Sequence, residues 1–136
     1  MVGRSETRLR ALYGTDACCI EADVSTQEGA KVAVAECQQQ RGLPTALAHC
    51  AGTTLLSPLH RTTLDLYRAC LSANLDSAVF TLSAFVDALR EAREPGAAVL
   101  VSSVVARIGV ANHEAIAAAK AGVEGLETVE KLFIDF

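Results

Sequence analysis

Tryptophan is absent from this 136-residue chain, and aromatic residues make up 4% of it. Ala, Val and Leu dominate instead, a composition suited to helices packed tightly against a sheet. No run of Lys or Arg forms a basic stripe, and the formal net charge is -4. No nucleic acid is therefore expected as a partner. No apolar stretch in the sequence approaches the roughly 18 residues of a membrane span, so no membrane association is expected. The opening Met-Val-Gly-Arg-Ser-Glu has no apolar signal region, and cytoplasmic location is the default expectation. Cys18, Cys19, Cys37, Cys50 and Cys70 include no Cys-x-x-Cys pair and are odd in number. That argues against a disulfide framework or a zinc site, and for reduced, mostly buried thiols acting as small apolar residues.

What is present is apolar. Hydrophobic residues reach 51% and the mean hydropathy is +0.29, which excludes a disordered chain. The length fits at most one domain, spanning residues 1–136, and could bury a core if the fold is complete.

Along the chain, Ser5 to Tyr13 reads as a short helix, capped by Ser5, with Leu9 and Leu12 on one face and Gly14 as its stop. Ala17 to Ile20 is a short apolar strand. Ser25-Thr-Gln-Glu28 reads as a capping box for a helix running to about Arg41, with Gly42 and Pro44 beyond it. Thr45 to His49 is a second strand, ending in Cys50-Ala51-Gly52. From about Thr63 to Glu94, Tyr67, Leu71, Leu75, Ala78, Leu82, Phe85 and Leu89 recur at helical spacing. Pro95-Gly96 ends that helix. Ala97 to Ser102 is apolar enough to be a strand covered on both faces. A loop to Asn112 precedes a last helix from about His113. Alternation of this kind predicts an α/β fold: a parallel sheet with helices on both faces.

Four landmarks fall in one order: Asp23-Val24, His49-Cys-Ala-Gly52, Asn74, and the set Ser103, Ile116, Lys120. Over about residues 2 to 126 they resemble the short-chain dehydrogenase/reductase family, whose signature is Ser followed by Tyr-x-x-x-Lys. The resemblance implies a partial Rossmann-like doubly wound parallel sheet with three recognisable strands. It also implies hydride transfer between NAD(P)H and a small-molecule carbonyl or alcohol substrate. Ligands of such sheets bind beyond the carboxyl ends of the strands.

Residue by residue, the resemblance makes Asp23 and Val24 the holders of the adenine ring, through a carboxylate and the following amide. Outside that frame Asp23 is an ordinary helix-entry aspartate. Cys50, Ala51 and Gly52 would let the backbone approach a ribose. His49 and Cys50 stand where the family has asparagines, and a cysteine cannot replace an amide's paired donor and acceptor. His49 by itself reads as a satisfied structural histidine. Asn74 would mark a local break in the long helix and support a proton-relay water; the plain alternative is a solvent-facing polar residue. Ser103 would polarise the substrate carbonyl, with Ser102 pointing elsewhere. Lys120 would hold the nicotinamide ribose, although an isolated helical lysine is ordinarily just solvated. Arg4 follows Val2-Gly3, which resembles the tail of the family's second strand. A basic residue there pairs with a 2′-phosphate in relatives, which slightly favours NADP over NAD.

Three departures bear on activity. Ile116 occupies the tyrosine slot, and an isoleucine neither donates nor accepts a proton; Tyr13 and Tyr67 lie elsewhere in the family layout. His113, three residues earlier, is a candidate substitute. No Thr-Gly-x-x-x-Gly-x-Gly segment occurs, so the resemblance implies that cofactor binding is weakened or lost. Leu132-Phe-Ile134 and Phe136 form an apolar tail where relatives continue with further elements. With two of the family's strands expected to be missing between Ala17–Ile20 and Thr45–His49, either those two strands re-pair or another chain fills the gap. The chain is accordingly expected to be weakly active or inactive. The alternative is a non-catalytic fragment, or an oligomerisation module that pairs through the long helix and the active-site helix, with itself or with a full-length paralogue.

Overall fold

A computed structural model describes residues 1–130; the apolar tail, Leu132 to Phe136, lies outside the described residues. Four strands and five α-helices follow in the order β1 (Val2–Gly3), α1 (Glu6–Tyr13), β2 (Ile20–Glu21), α2 (Gln27–Arg41), β3 (Ala46–His49), α3 (Leu64–Leu71), α4 (Ser77–Ala92), β4 (Ala97–Leu100) and α5 (Glu114–Glu130). The fold is α/β with parallel pairing throughout, as expected.

The strands number four rather than three because Val2–Gly3 pairs in register with Ile20–Glu21. Its ladder is extended by bonds from Ile20 N to the Met1 carbonyl and from Ala22 N to the Gly3 carbonyl. That pairing places β2 at Ile20–Glu21, later than the expected Ala17–Ile20. Of the two alternatives for the gap, it removes re-pairing of this strand with Thr45–His49. Instead β3 pairs with β4, from Ala46 opposite Ala97 to His49 opposite Leu100. The described residues thus form two two-stranded parallel sheets. Ladder bonding of β4 runs on to Val101, whose N–H bonds the His49 carbonyl. The strand ends before Ser102 because its partner ends at His49.

The main core joins Ala78, Leu82, Phe85 and Leu89 of α4 to Leu100 of β4 and Val123 of α5. A second cluster sets Ile20 and Ala22 of the β2 region against Ala33 of α2. The main core follows from the periodicities: four-residue and three-residue steps on α4, alternation on β4. The expectation that β4 is covered on both faces is corrected. Leu100 is 6% exposed, but Val99 is 64% exposed, and Ala46, Ala48 and Ala97 are open with it. An apolar run tells that a strand can be buried twice, and here one face is covered.

Leu64–Ala92 forms 29 residues of continuous helix with a mean hydropathy of 1.4 over its most apolar window. By composition it does reach the length of a span, against the sequence expectation, but Leu82, Phe85 and Leu89 use its apolar face as protein core. Within it, Ser72–Asp76 is a π-helical turn.

The capping box is also corrected. Thr26, not Ser25, caps α2, its hydroxyl accepting from Gly29 N at 3.0 Å. Ser25 is drawn the other way, its N–H and hydroxyl both bonding Asp23 Oδ1, at 3.0 and 2.6 Å. A carboxylate two residues upstream outcompetes the helix end for the serine. Ser5 caps α1 as expected, and Gly14 ends it at a φ of 86°.

Candidate functional site

The carboxyl ends of β3 and β4 face the π-helical turn and the first two turns of α5. Asn74 lies in that π turn and is 1% exposed. A buried amide must place both donors and its acceptor, and Asn74 does so. Its Nδ2 donates to the carbonyls of Thr53 at 3.0 Å and Cys70 at 2.9 Å. Its Oδ1 accepts from Thr53 N at 3.1 Å. The side chain therefore fastens the loop after β3 to the helix, and the solvent-facing alternative for Asn74 falls.

Gly52 is where this fastening is tightest. A Cβ built there would stand 2.6 Å from Asn74 Oδ1 and 3.6 Å from Lys120 Nζ. The strand end, the amide and the ammonium thus converge on one spot, and an absent side chain keeps it open. Lys120 is 7% exposed, and its Nζ donates to the Val101 carbonyl at 2.7 Å. Burial pushes its pKa down, while the nearby Cys50 thiol acts in the opposite direction. A buried lysine bonded to a strand-end carbonyl is not the solvated helical lysine of the plain reading.

Ile116 lies one helical turn before Lys120 on the same face of α5. It is 7% exposed and packs with Cys70, Ala115, Leu55 and Val105. The slot is thus filled by an apolar side chain held in an apolar cluster. Ser103 caps a short 3-10 turn, Val104–Ala106, with its Oγ accepting from Val105 N at 3.4 Å. Ser102 is engaged elsewhere, as expected: its Oγ lies 3.0 Å from Glu124 Oε1 and 3.2 Å from the Lys120 carbonyl. Arg107 pairs with Glu124 at 3.0 Å, and this bond and that from Ser102 hold the Glu124 carboxyl below its ordinary value. His113 Nδ1 bonds the Ala111 carbonyl at 2.8 Å, fixing the ring beside the loop that enters α5.

Asp23 and Val24 follow β2 at its carboxyl end. Ser25 bonds hold the Asp23 carboxyl below its ordinary value, with Arg4 adding a smaller electrostatic contribution. Gly3 lies opposite Glu21, so Arg4 and Asp23 leave β1 and β2 at the same end, both exposed, while Val24 is half-buried against the second cluster. Cys50, Ala51 and Gly52 are exposed at the end of β3. His49 is 5% exposed and bonds Ser77 Oγ through Nε2 at 3.1 Å. The partners Thr53, Ser77, Val101 and Glu124 were not found by sequence reasoning; Ser77, one turn after Asn74, had a helical-spacing signal. Among the described residues no group of three or more His, Cys, Asp or Glu could hold a metal ion.

Asn74 on a helical bulge and Lys120 on α5 thus come together at the strand ends of a Rossmann-like α/β chain. The chain belongs to the short-chain dehydrogenase family, whose model matches residues 3–131. The 3-oxoacyl-(acyl-carrier-protein) reductase FabG of Chlamydia pneumoniae is 35% identical over 101 residues, 74% of this chain and 40% of that protein. A short-chain dehydrogenase from Streptomyces avermitilis superposes with a TM-score of 0.80 at 25% identity, covering 93% of this chain and 48% of that one. A short-chain dehydrogenase/reductase from Vibrio parahaemolyticus gives 0.81 at 22% identity, covering 98% and 64%. The chain spans less than two thirds of the length of each.

Proposed function

We propose that residues 1–136 form one partial NAD(P)-binding domain that keeps the ribose and adenine side of a nucleotide site and lacks the proton donor. The observation that supports this most is the convergence of Gly52, Asn74 and Lys120, where a Cβ would occupy the space between them. Lys120 would hold the nicotinamide ribose, and Asn74 would fix the helical bulge whose carbonyls support a relay water. Ala51 and Gly52 would lie against a ribose, with Cys50 at the rim. Asp23 and Val24 would hold the adenine, and Arg4 beside Asp23 favours the 2′-phosphate of NADP. When bound, the nicotinamide supplies or accepts hydride at a carbonyl or alcohol carbon. Ser103 would hydrogen-bond the substrate oxygen. Ile116 offers no proton, so turnover by this stretch of chain is weak or nil. The five free thiols fit a reducing cytoplasm.

The test is Ile116→Tyr, assayed for NADPH and NADH oxidation against a panel of small aldehydes and ketones. A positioned general acid typically contributes about 10²–10⁴ in rate. A gain of that order supports the reading. Turnover by the unaltered chain equal to that of I116Y would overturn it.

A second reading, an oligomerisation module, is favoured by one observation. Leu59, Leu64 and Leu66 around the start of α3 are 64%, 60% and 44% exposed. Sedimentation of the purified chain as a dimer, abolished by Leu64→Asp, supports that reading; a monomer at all concentrations removes it.

A further inference from the structure

The π-helical turn that carries Asn74 has a partner on β3 that neither the nucleotide site nor the core accounts for. In a regular α-helix the Ser77 N–H would bond the Ala73 carbonyl. Here it reaches the Ser72 carbonyl instead. The Ser77 hydroxyl takes the vacated role, donating to the Ala73 carbonyl at 2.8 Å. A serine hydroxyl has one proton. With that proton committed to Ala73, the oxygen can act only as acceptor towards the His49 ring, 3.1 Å away. His49 Nε2 must therefore carry a proton. Both ends of this chain are fixed: His49 is 5% exposed and Ser77 is 1% exposed. His49 lies three residues before Gly52, so β3 and its loop grip the same π turn twice. One grip is His49 to Ser77; the other is Thr53 to Asn74.

We infer that His49, as the neutral Nε2–H tautomer, is a positioning residue that locks the π-helical turn through Ser77 and so sets the place of Asn74 against Gly52. The inference rests on the proposed nucleotide site only in the purpose it gives to Asn74; the hydrogen-bond chain itself stands without it. Burial and the neighbouring Lys120 both push the His49 pKa down, which keeps the ring neutral near pH 7. Glutamine can imitate the donor, because its Nε2 lies at about the reach of the imidazole Nε2. Leucine fills the space without a donor.

Two measurements test this, and neither needs bound nucleotide. The first is long-range ¹H–¹⁵N NMR of the unaltered chain at pH 7. The expected result is a His49 ring protonated at Nε2 with a bare Nδ1. A ring protonated at Nδ1 alone overturns the inference. The second is hydrogen exchange at the Ser77 amide and the Asn74 side-chain amide in His49→Gln and His49→Leu. Exchange faster by about fivefold to tenfold in H49L, the scale of one hydrogen bond, and near the unaltered rate in H49Q, supports a positioning role. H49L protecting these amides as well as H49Q does would show that His49 only fills space. Failure of nucleotide binding, by contrast, would leave both results standing and would count against the proposed function alone.

Discussion

Gly52 shows how much of the site depends on single atoms. Adding one methyl group there brings a carbon to 2.6 Å from Asn74 Oδ1. Asn74 would have to give up its bonds to Thr53, in a buried position where an unsatisfied amide costs about 1–3 kcal/mol. Gly52→Ala is expected to lower stability by that amount in urea titration, whereas Gly109→Ala, with open space around it, should change little. His49 makes a separate prediction with pH. Its pKa is depressed in the folded state from 6.5 by burial first and Lys120 second. As pH falls below 6.5, the unfolded chain takes up the proton first, so the folded state loses stability. The contribution is complete above that value and is lost on the acidic side. The urea midpoint should therefore fall faster below pH 6.5 in the unaltered chain than in His49→Gln. Parallel curves for the two proteins would contradict this. At the residue scale the sequence was readable where spacing carries geometry. Ile116 and Lys120 are one turn apart, and the structure puts both on the buried face of α5. The His49 to Ser77 bond was not readable, because a contact across 28 residues has no periodic signature.

Among the elements, α4 illustrates both success and its limit. Its core face, Ala78, Leu82, Phe85 and Leu89, follows directly from the three- and four-residue spacing. Its end does not. The helix stops at Ala92, and Arg93 adopts a left-handed conformation with φ 57° and ψ 40°. Pro95-Gly96 predicts the terminator, but the turn is made two residues earlier. Left-handed backbone costs a residue with a Cβ about 1–2 kcal/mol, and glycine avoids that cost at this position. Arg93→Gly is expected to raise the thermal midpoint by several degrees, the equivalent of about 1 kcal/mol. An unchanged or lower midpoint would mean that the exposed Arg93 side chain contributes more than the backbone strain. The entry to α2 differs from the expected capping box for a competing reason: Asp23 takes Ser25, leaving Thr26 to cap. Pattern reading finds a capping residue within one position; the winner depends on which acceptor is nearer. For β4 the apolar composition could not tell which face is covered, since Val99 and Leu100 are equally apolar and only Leu100 is buried.

For the molecule as a whole, the decisive feature is division of the strands into two parallel pairs. A two-stranded sheet has little stability of its own, and each pair here leans on helices from one cluster. The exposed Val99 and Val101, at 64% and 45%, add an apolar surface that favours association. We therefore expect the isolated chain to be marginally stable, with a broad transition at low temperature.

That expectation and the proposed nucleotide site meet in one experiment: thermal unfolding of the purified chain with and without NADPH or NADH, beside Lys120→Met. A ligand binding only the folded state at ten times its dissociation constant adds about 1.4 kcal/mol. The account predicts a broad melt whose midpoint rises with NADPH, more than with NADH, and a rise that K120M abolishes. A sharp melt well above room temperature that ignores both nucleotides would contradict it.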